Sequence, residues 1–480
     1  MARRKVDVAI IGGGTAGMVA WRQARKHTES VLMIEGDRFG TTCARVGCMP
    51  SKLLIRAAEA AHEVRQSSRF GIEHGEYRVD GAAVMARVRR YRDQFVDGVL
   101  ETIEKIPAEQ RLLARARFSA PMELELENGD RIDADRIVIA TGSRSHVVPM
   151  LKAAGSRLIT SEAIFDWTDL PESVAVFGPG VIGLELGQAL ARLGVRVRMF
   201  GVGGRLGPIR DSKIREIALE AFNRDFPLDP DARVHEISAS EQGVDIRFDD
   251  AHGDPVSEGF EWLLAATGRR PNVDDLGLEH SGLALDERGV PRFDPFTLQC
   301  GDSPVFIAGD ANEDRPLLHE AANEGRLAGQ NAGSWPQIRA RDRRTPLGIV
   351  FTDPQIIQVG ELPDEASAEA GRRIASGSIS FRRQGRSRVM GRNLGRLVVH
   401  GEFGSGRFLG AEMAGPAAEH IAHLLAWAVE QKLTVARMLE MPFYHPVIEE
   451  GVRSALYDLN HELKNGPPPA GDCTDCGPGV

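Results

Sequence analysis

The stretch VDVAIIGGGTAG at residues 6–17 is a short apolar run that ends abruptly in a G-x-G-x-x-G cluster. The run predicts a buried strand over 6–11, the residues after the cluster predict a helix to about 25, and a second apolar run predicts a strand over 30–34 that ends at Glu35. Strand, glycine turn, helix and acid-tipped strand at this spacing form a dinucleotide-binding βαβ fingerprint. In it Gly12 makes the tight turn, Gly14 lets backbone approach a pyrophosphate, Gly17 allows close helix packing and Glu35 is placed for a ribose hydroxyl.

The fingerprint occurs twice. VAVFGPGVIG at residues 174–183 repeats the strand and the cluster Gly178, Gly180 and Gly183, followed by a helix to about 193 and a strand over 195–200. Here the acid expected at the second strand's end is replaced by Gly201, with Arg205 four residues on. An acid at that place holds an NAD ribose and repels an NADP phosphate, so the choice between NAD and NADP stays open. Residues 201–204 also read as a simple flexible turn. Each half closes on a strand-to-turn signal, IVIATG at 137–142 with Thr141 and Gly142, and LLAATG at 263–268 with Gly268. VFIAGD at 305–310 predicts a buried strand that puts Asp310 at its edge, where an acid can hold a polyol or make an ordinary turn; a helix over 317–331 follows.

From about residue 345 the pattern changes to short strands, at 348–351, 356–361, 379–383 and 396–402, then helices at 417–431 and 435–439. The expected fold is α/β, with two Rossmann-like dinucleotide-binding domains and a C-terminal α+β domain. The end of the chain, from residue 465, has no periodicity and reads as mobile.

At 480 residues the chain is too long for one ordinary core, and 42 % hydrophobic with 26 % charged residues is the balance of a soluble multidomain protein. A formal charge of −9 gives no general basic field, so no nucleic-acid role is expected, although scattered arginines can still make local anion sites. The N-terminal apolar run is too short for a signal peptide and no window reaches a membrane span, which reads as a cytoplasmic protein. Four of the five cysteines fall in two close pairs, a pattern of catalysis or metal binding rather than of a secreted scaffold.

The first pair lies in CARVGCMPSK at residues 43–52. Residues five apart on a regular helix put their Cα atoms roughly 8–9 Å apart, beyond disulfide reach, so the segment must be distorted if the pair is redox-active. Gly47 supplies the permissive backbone and Pro50 suits the first turn of a helix, which leaves Cys48 near a helix N-terminus where a thiolate is favoured. Two buried structural cysteines are the plain alternative.

Together these motifs resemble the flavin-dependent pyridine nucleotide disulfide oxidoreductases, and among them the dihydrolipoamide dehydrogenase branch, over about residues 6–464. The resemblance implies an FAD-binding domain at 1–148, an NAD(P)-binding domain at 149–270, a central segment at 271–344 that completes the FAD side, a dimerisation domain at 345–464 and a flexible tail at 465–480. It implies that Cys43 is the interchange thiol and Cys48 the thiol at the flavin. Lys52 then lies beside the flavin with Glu185 as its ion-pair partner, Asp310 holds the ribityl chain, and His319 sits on a helix by the ring. His445, in FYHPVIEE at 443–450, implies a base oriented by Glu450 and reaching across a homodimer. The implied reaction passes electrons from a dithiol, such as one on a lipoyl domain, through Cys43–Cys48 and FAD to NAD(P).

Two features depart from the pattern. Arg45 puts a positive charge between the cysteines, where it could stabilise a dithiolate, meet an acidic substrate or, the favoured reading, point to solvent. Cys473 and Cys476 form a tail pair that could relay electrons to another disulfide, that of a thioredoxin-like protein, a low-molecular-weight thiol or a mercuric-type substrate; an inert end or a loose metal-binding pair are the alternatives. A flavin-binding structural subunit and a quinone or dye reductase are the remaining rivals. Cys300 reads as buried, and no metal site is expected.

Overall fold

The computed structural model describes residues 2–363 and 373–465. The tail, with Cys473 and Cys476, lies outside the described residues beyond Asn465, which ends a helix, Glu450–Asn465.

Strand Arg3–Ile11 runs parallel between Val31–Glu35 and Arg131–Ile139. Its segment from Val8 to Ile10 is wholly buried, the mark of a central strand covered on both faces. Strand Val305–Ile307, from the far side of the second nucleotide-binding unit, returns to pair in parallel with Arg131–Ile139. The helix that follows it, Leu318–Ser334, packs on helix Thr15–Ala24. Contact there is so close that a Cβ at Gly325 or Gly329 would lie 2.3 Å from the Ala16 carbonyl oxygen or 2.2 Å from that of Ala20. The chain segment after residue 300 is thereby locked onto the first sheet.

The second unit is a five-stranded parallel sheet with Ser173–Phe177 at its centre, flanked by Arg196–Phe200 and then Leu228–Asp229 on one side and by Trp262–Ala265 and then Leu158–Thr160 on the other. A three-stranded antiparallel sheet, Val234–Ala239, Val244–Asp249 and Pro255–Phe260, is inserted before its last strand. The C-terminal unit is a five-stranded antiparallel sheet, with Phe408–Gly415 in the middle, covered by helices Ala418–Glu430 and Glu450–Asn465.

One strand differs from expectation. The strand expected over 379–383 is Ile374–Ser380, and Phe381–Arg383 forms a tight helical turn instead. Ser380 caps that turn through its hydroxyl, which accepts from the Arg382 N–H at 3.4 Å, while the Phe381 ring is buried in the C-terminal core. Among the described residues no helix is long and apolar enough to cross a membrane.

Candidate active site

The two glycine turns are built alike. Gly12 adopts φ +110° and Gly178 φ +104°, and a Cβ at either would fall 2.2 Å or 2.4 Å from the carbonyl oxygen of Ala140 or Ala266, so only glycine fits. Gly17 and Gly183 bring each helix against its turn, since a Cβ at either would lie 1.9 Å from the Gly12 carbonyl oxygen or 2.0 Å from that of Gly178. Around Gly14 and Gly180, by contrast, there is open space, the room a pyrophosphate needs at a helix N-terminus. Gly142 and Gly268, both at positive φ, face equally open space at the ends of the adjoining strands.

Glu35 accepts from the Gly13 N–H at 2.7 Å, which holds its carboxylate at the mouth of the first turn. The Thr141 hydroxyl is buried without a hydrogen-bond partner among the described residues, an orphaned polar group beside the same turn. Asp310 accepts from the Ser143 hydroxyl at 2.7 Å. Ser143 in turn accepts from Arg269, which pairs with Glu162 at 3.2 Å, a chain that the sequence reading missed because each bonded neighbour lies more than a hundred residues from the next. His319 is exposed in the first turn of Leu318–Ser334. Open backbone at Gly14, the orphaned Thr141 and the edge carboxylate Asp310 fit an FAD.

In the second unit the missing acid has a steric cause. A Cβ at Gly201 would lie 2.5 Å from the Pro230 carbonyl oxygen and 2.8 Å from Pro179 Cγ. A carboxylate comes instead from the neighbouring parallel strand's end: Asp231 accepts from the Gly203 N–H at 2.7 Å. The turn at 201–204 is thus held, and Arg205 stands exposed beyond it.

The cysteine segment is distorted where Gly47 permits it. Helix Thr42–Val46 stops at Gly47, φ −130° and ψ −116°, and a new helix, Cys48–Arg65, begins. Both cysteines are free thiols, Cys43 half-buried and Cys48 exposed, and they are hydrogen-bonded to each other. The hydrogen bond from Cys43 lowers the Cys48 thiol to about 7, against the opposing effect of burial; Lys52 and the helix N-terminus act in the same direction as Cys43. The same hydrogen bond, with burial, pushes the Cys43 thiol far up. Of the two thiols, Cys48 is therefore the one that ionises first. Lys52 Nζ lies 2.7 Å from Glu185 Oε2 and 4.5 Å above the Phe351 ring.

Arg45 corrects the solvent reading. Its guanidinium turns back to donate to the Phe39 carbonyl and lies where a Cβ at Gly40 would collide with it. It braces the loop before the cysteines rather than facing water.

At the other end of the chain, His445 Nδ1 is 3.0 Å from Glu450 Oε1, and Glu450 Oε2 accepts from the Val447 N–H at 3.1 Å. Burial would raise the Glu450 carboxyl, but these hydrogen bonds outweigh it and hold the group below the usual carboxylate range. Within one chain the ring is oriented toward Glu450 and is exposed, and its hydrogen bond runs to neither cysteine. Cys300 is buried and its thiol is pushed up to about 12.

Two glycine cradles in tandem, a thiol pair between them and a C-terminal sheet domain define a flavin- and pyridine-nucleotide-dependent disulfide oxidoreductase. The chain belongs to the pyridine nucleotide-disulphide oxidoreductase family, whose profile matches residues 6–325, with the family's dimerisation domain at 347–456. It is an FAD- and NAD(P)-using enzyme of sulfur-group oxidation, and the dimerisation domain supports a homodimer. It is 29 % identical over 460 residues to the dihydrolipoyl dehydrogenase of Chlorobaculum parvum, covering 94 % of this chain and 96 % of that one. The dihydrolipoyl dehydrogenase of Bacillus subtilis is 28 % identical over 466 residues, covering 94 % and 97 %. The fold is shared with LpdA of Mycobacterium tuberculosis, at TM-score 0.79 and 24 % identity over 95 % of this chain and 99 % of that one. It is shared too with the HOCl-induced flavoprotein disulfide reductase RclA of Escherichia coli, as its Cu(II) complex, at TM-score 0.79 and 22 % identity over 95 % and 99 %.

Proposed function

We propose that the protein is a dihydrolipoyl dehydrogenase that oxidises a dihydrolipoyl dithiol and reduces NAD, working as a homodimer in a reducing compartment, the cytoplasm. The observation that carries this reading is the cysteine pair itself, with Cys48 at a helix N-terminus and the Lys52–Glu185 ion pair one turn away. Gly14, Thr141 and Asp310 would hold the FAD, and Gly180 and Gly268, which face open space, the nicotinamide coenzyme.

In the oxidised enzyme His445, oriented by Glu450, takes the proton of one substrate thiol, and the thiolate attacks the Cys43 sulfur. The Cys43–Cys48 bond breaks and Cys48 leaves as thiolate, favoured in that role by its lowered pKa. The second substrate thiol then attacks the substrate sulfur of the mixed disulfide, its proton passes to the departing Cys43 sulfur, the cyclic disulfide leaves, and His445 keeps the first proton as an imidazolium beside Glu450. Two electrons thus rest on the pair as one thiol and one thiolate. When bound at Gly14, Thr141 and Asp310, FAD would supply the redox chemistry that links this reduced pair to the nicotinamide.

Asp231 supports NAD over NADP. A 2′-phosphate placed at the Gly201–Gly204 turn would meet its carboxylate, and the Gly203 N–H that could have bound the phosphate is already engaged. The test is oxidation of free dihydrolipoamide with NAD by FAD-loaded protein, alongside Cys43→Ser. Loss of turnover in that variant supports thiol exchange, whereas undiminished electron transfer from NADH to quinones or dyes, without dithiol turnover in either form, would make the protein a dye reductase.

A further inference from the structure

Between Phe381 and Gly401 the chain carries six arginines, at 382, 383, 386, 388, 392 and 396, and no acidic residue, within a protein of formal charge −9. Two of them are engaged: Arg392 Nη2 is 3.3 Å from Glu63, and Arg396 donates to the Ser378 hydroxyl at 2.6 Å. The side chains of Arg382, Arg383, Arg386 and Arg388 are exposed, and among the described residues no carboxylate pairs with them. Four unpaired like charges within seven residues repel one another, a cost that a polyanionic surface relieves.

The scaffold beneath them is fixed. Ser387 is buried, and its hydroxyl donates to the Phe381 and Gln384 carbonyls at 2.8 Å each, while Gln384 Oε1 accepts from the Ser387 N–H at 2.7 Å. Gln384 Nε2 also donates to the Val447 carbonyl at 2.7 Å, which joins this loop to the segment that holds His445 and Glu450. The loop that carries the arginines is therefore tied to the segment of the acid–base pair. Val389, among them, is 65 % exposed, an apolar contact inside a charged rim.

We propose that Arg382, Arg383, Arg386 and Arg388 form a docking face for the acidic surface of the protein that carries the dithiol, seating it beside His445; this rests on the dithiol-exchange reading above. Four separate guanidinium heads with an exposed valine next to the last of them match an extended protein surface better than a small anion, which engages one or two arginines. With a formal charge of −9 on the whole chain, attraction for an acidic partner is confined to this face, which fixes where such a partner docks. Charges at such a rim chiefly raise the association rate and are screened by salt.

The experiment uses FAD-loaded full-length protein and two probes, free uncharged dihydrolipoamide and a reduced lipoylated lipoyl domain of net negative charge. Expected for the domain is a fall in kcat/KM on the order of tenfold, both on raising salt and in the variant Arg382→Gln/Arg383→Gln/Arg386→Gln/Arg388→Gln, with free dihydrolipoamide unchanged within about twofold. Binding of the fluorescently labelled domain, followed by anisotropy, is measured in parallel and does not depend on turnover. Salt-sensitive binding that is lost in the variant supports the docking face even if neither probe is oxidised, in which case the functional reading alone falls. Binding or turnover of the domain that is indifferent to salt and to the variant overturns the proposal. So does tight arginine-dependent binding of duplex DNA that the acidic domain does not displace.

Discussion

Lys52 Nζ and Glu185 Oε2 lie 2.7 Å apart, and through that contact three parts of the chain meet. Lys52 stands on the cysteine helix, Glu185 on the helix after the second glycine turn, and the other Glu185 oxygen accepts from the N–H of Phe351, at 2.9 Å, where the C-terminal sheet begins. The carboxylate is almost wholly buried while the ammonium is about one-third exposed. Lys52→Met and Glu185→Gln should each cost about 1–3 kcal/mol, less than a fully buried pair because solvent screens the lysine, read as a lower denaturant midpoint at unchanged slope. They should move the Cys48 thiol in opposite directions, up in Lys52→Met and down in Glu185→Gln, since Lys52 favours the thiolate and Glu185 opposes it. Equal shifts of one sign would mean that both substitutions act only through the fold.

Cys43→Ser should leave Cys48 titrating below an ordinary cysteine, because serine can still donate the hydrogen bond and the helix N-terminus and Lys52 remain. The thiolate is present above the midpoint and lost below it. Ultraviolet thiolate absorbance, taken as the difference between Cys43→Ser and Cys43→Ser/Cys48→Ser, follows the titration. A midpoint at the ordinary thiol value would remove the electrostatic basis assigned to Cys48.

The cysteine segment was legible in the sequence because three unusual residue types, Gly47, Pro50 and paired cysteines, fall within eight positions. The duplicated glycine cradles were legible for a similar reason: at Gly12 and Gly178 the backbone admits no other residue. Strand Phe408–Gly415 was missed, since it is buried at every position and shows no alternation. Its one charged residue, Glu412, is buried and serves the Arg210 and Asp211 N–H groups. The three-stranded insertion at 234–260 was missed although its middle strand, Val244–Asp249, alternates apolar and charged residues, the signal that could have found it. Asp231 was invisible as a substitute for the acid missing at Gly201, because only the parallel pairing of adjacent strands brings the two together.

His445→Gln should lower kcat for dithiol oxidation by roughly 10²–10⁴ and Glu450→Gln by less, since the first removes a general base and the second its orienting partner. If the base acts across the dimer, co-expressed His445→Gln and Cys43→Ser subunits should form hybrids with one intact site and regain activity that neither parent has. Hybrids as inactive as the parents would place His445 and Cys43 of one subunit in the same site.

Asp231→Asn should raise kcat/KM with NADP on the order of tenfold, about the worth of one charged interaction, and leave the FAD content unchanged. Gly201→Asp should instead destabilise the protein, because its Cβ would overlap the Pro230 carbonyl. An Asp231→Asn enzyme with unaltered preference would return coenzyme choice to Arg205.

The central claim, that a dihydrolipoyl dithiol is oxidised at Cys43–Cys48, is tested most directly by steady-state oxidation of dihydrolipoamide with NAD. Full-length protein is compared with a form ending at Lys464, both checked for stoichiometric FAD. Fast, equal rates in the two forms are the predicted result and leave Cys473 and Cys476 dispensable. No dihydrolipoamide turnover in either, together with NADPH-driven disulfide reduction that requires the tail, would contradict the account and identify a reductase of another disulfide.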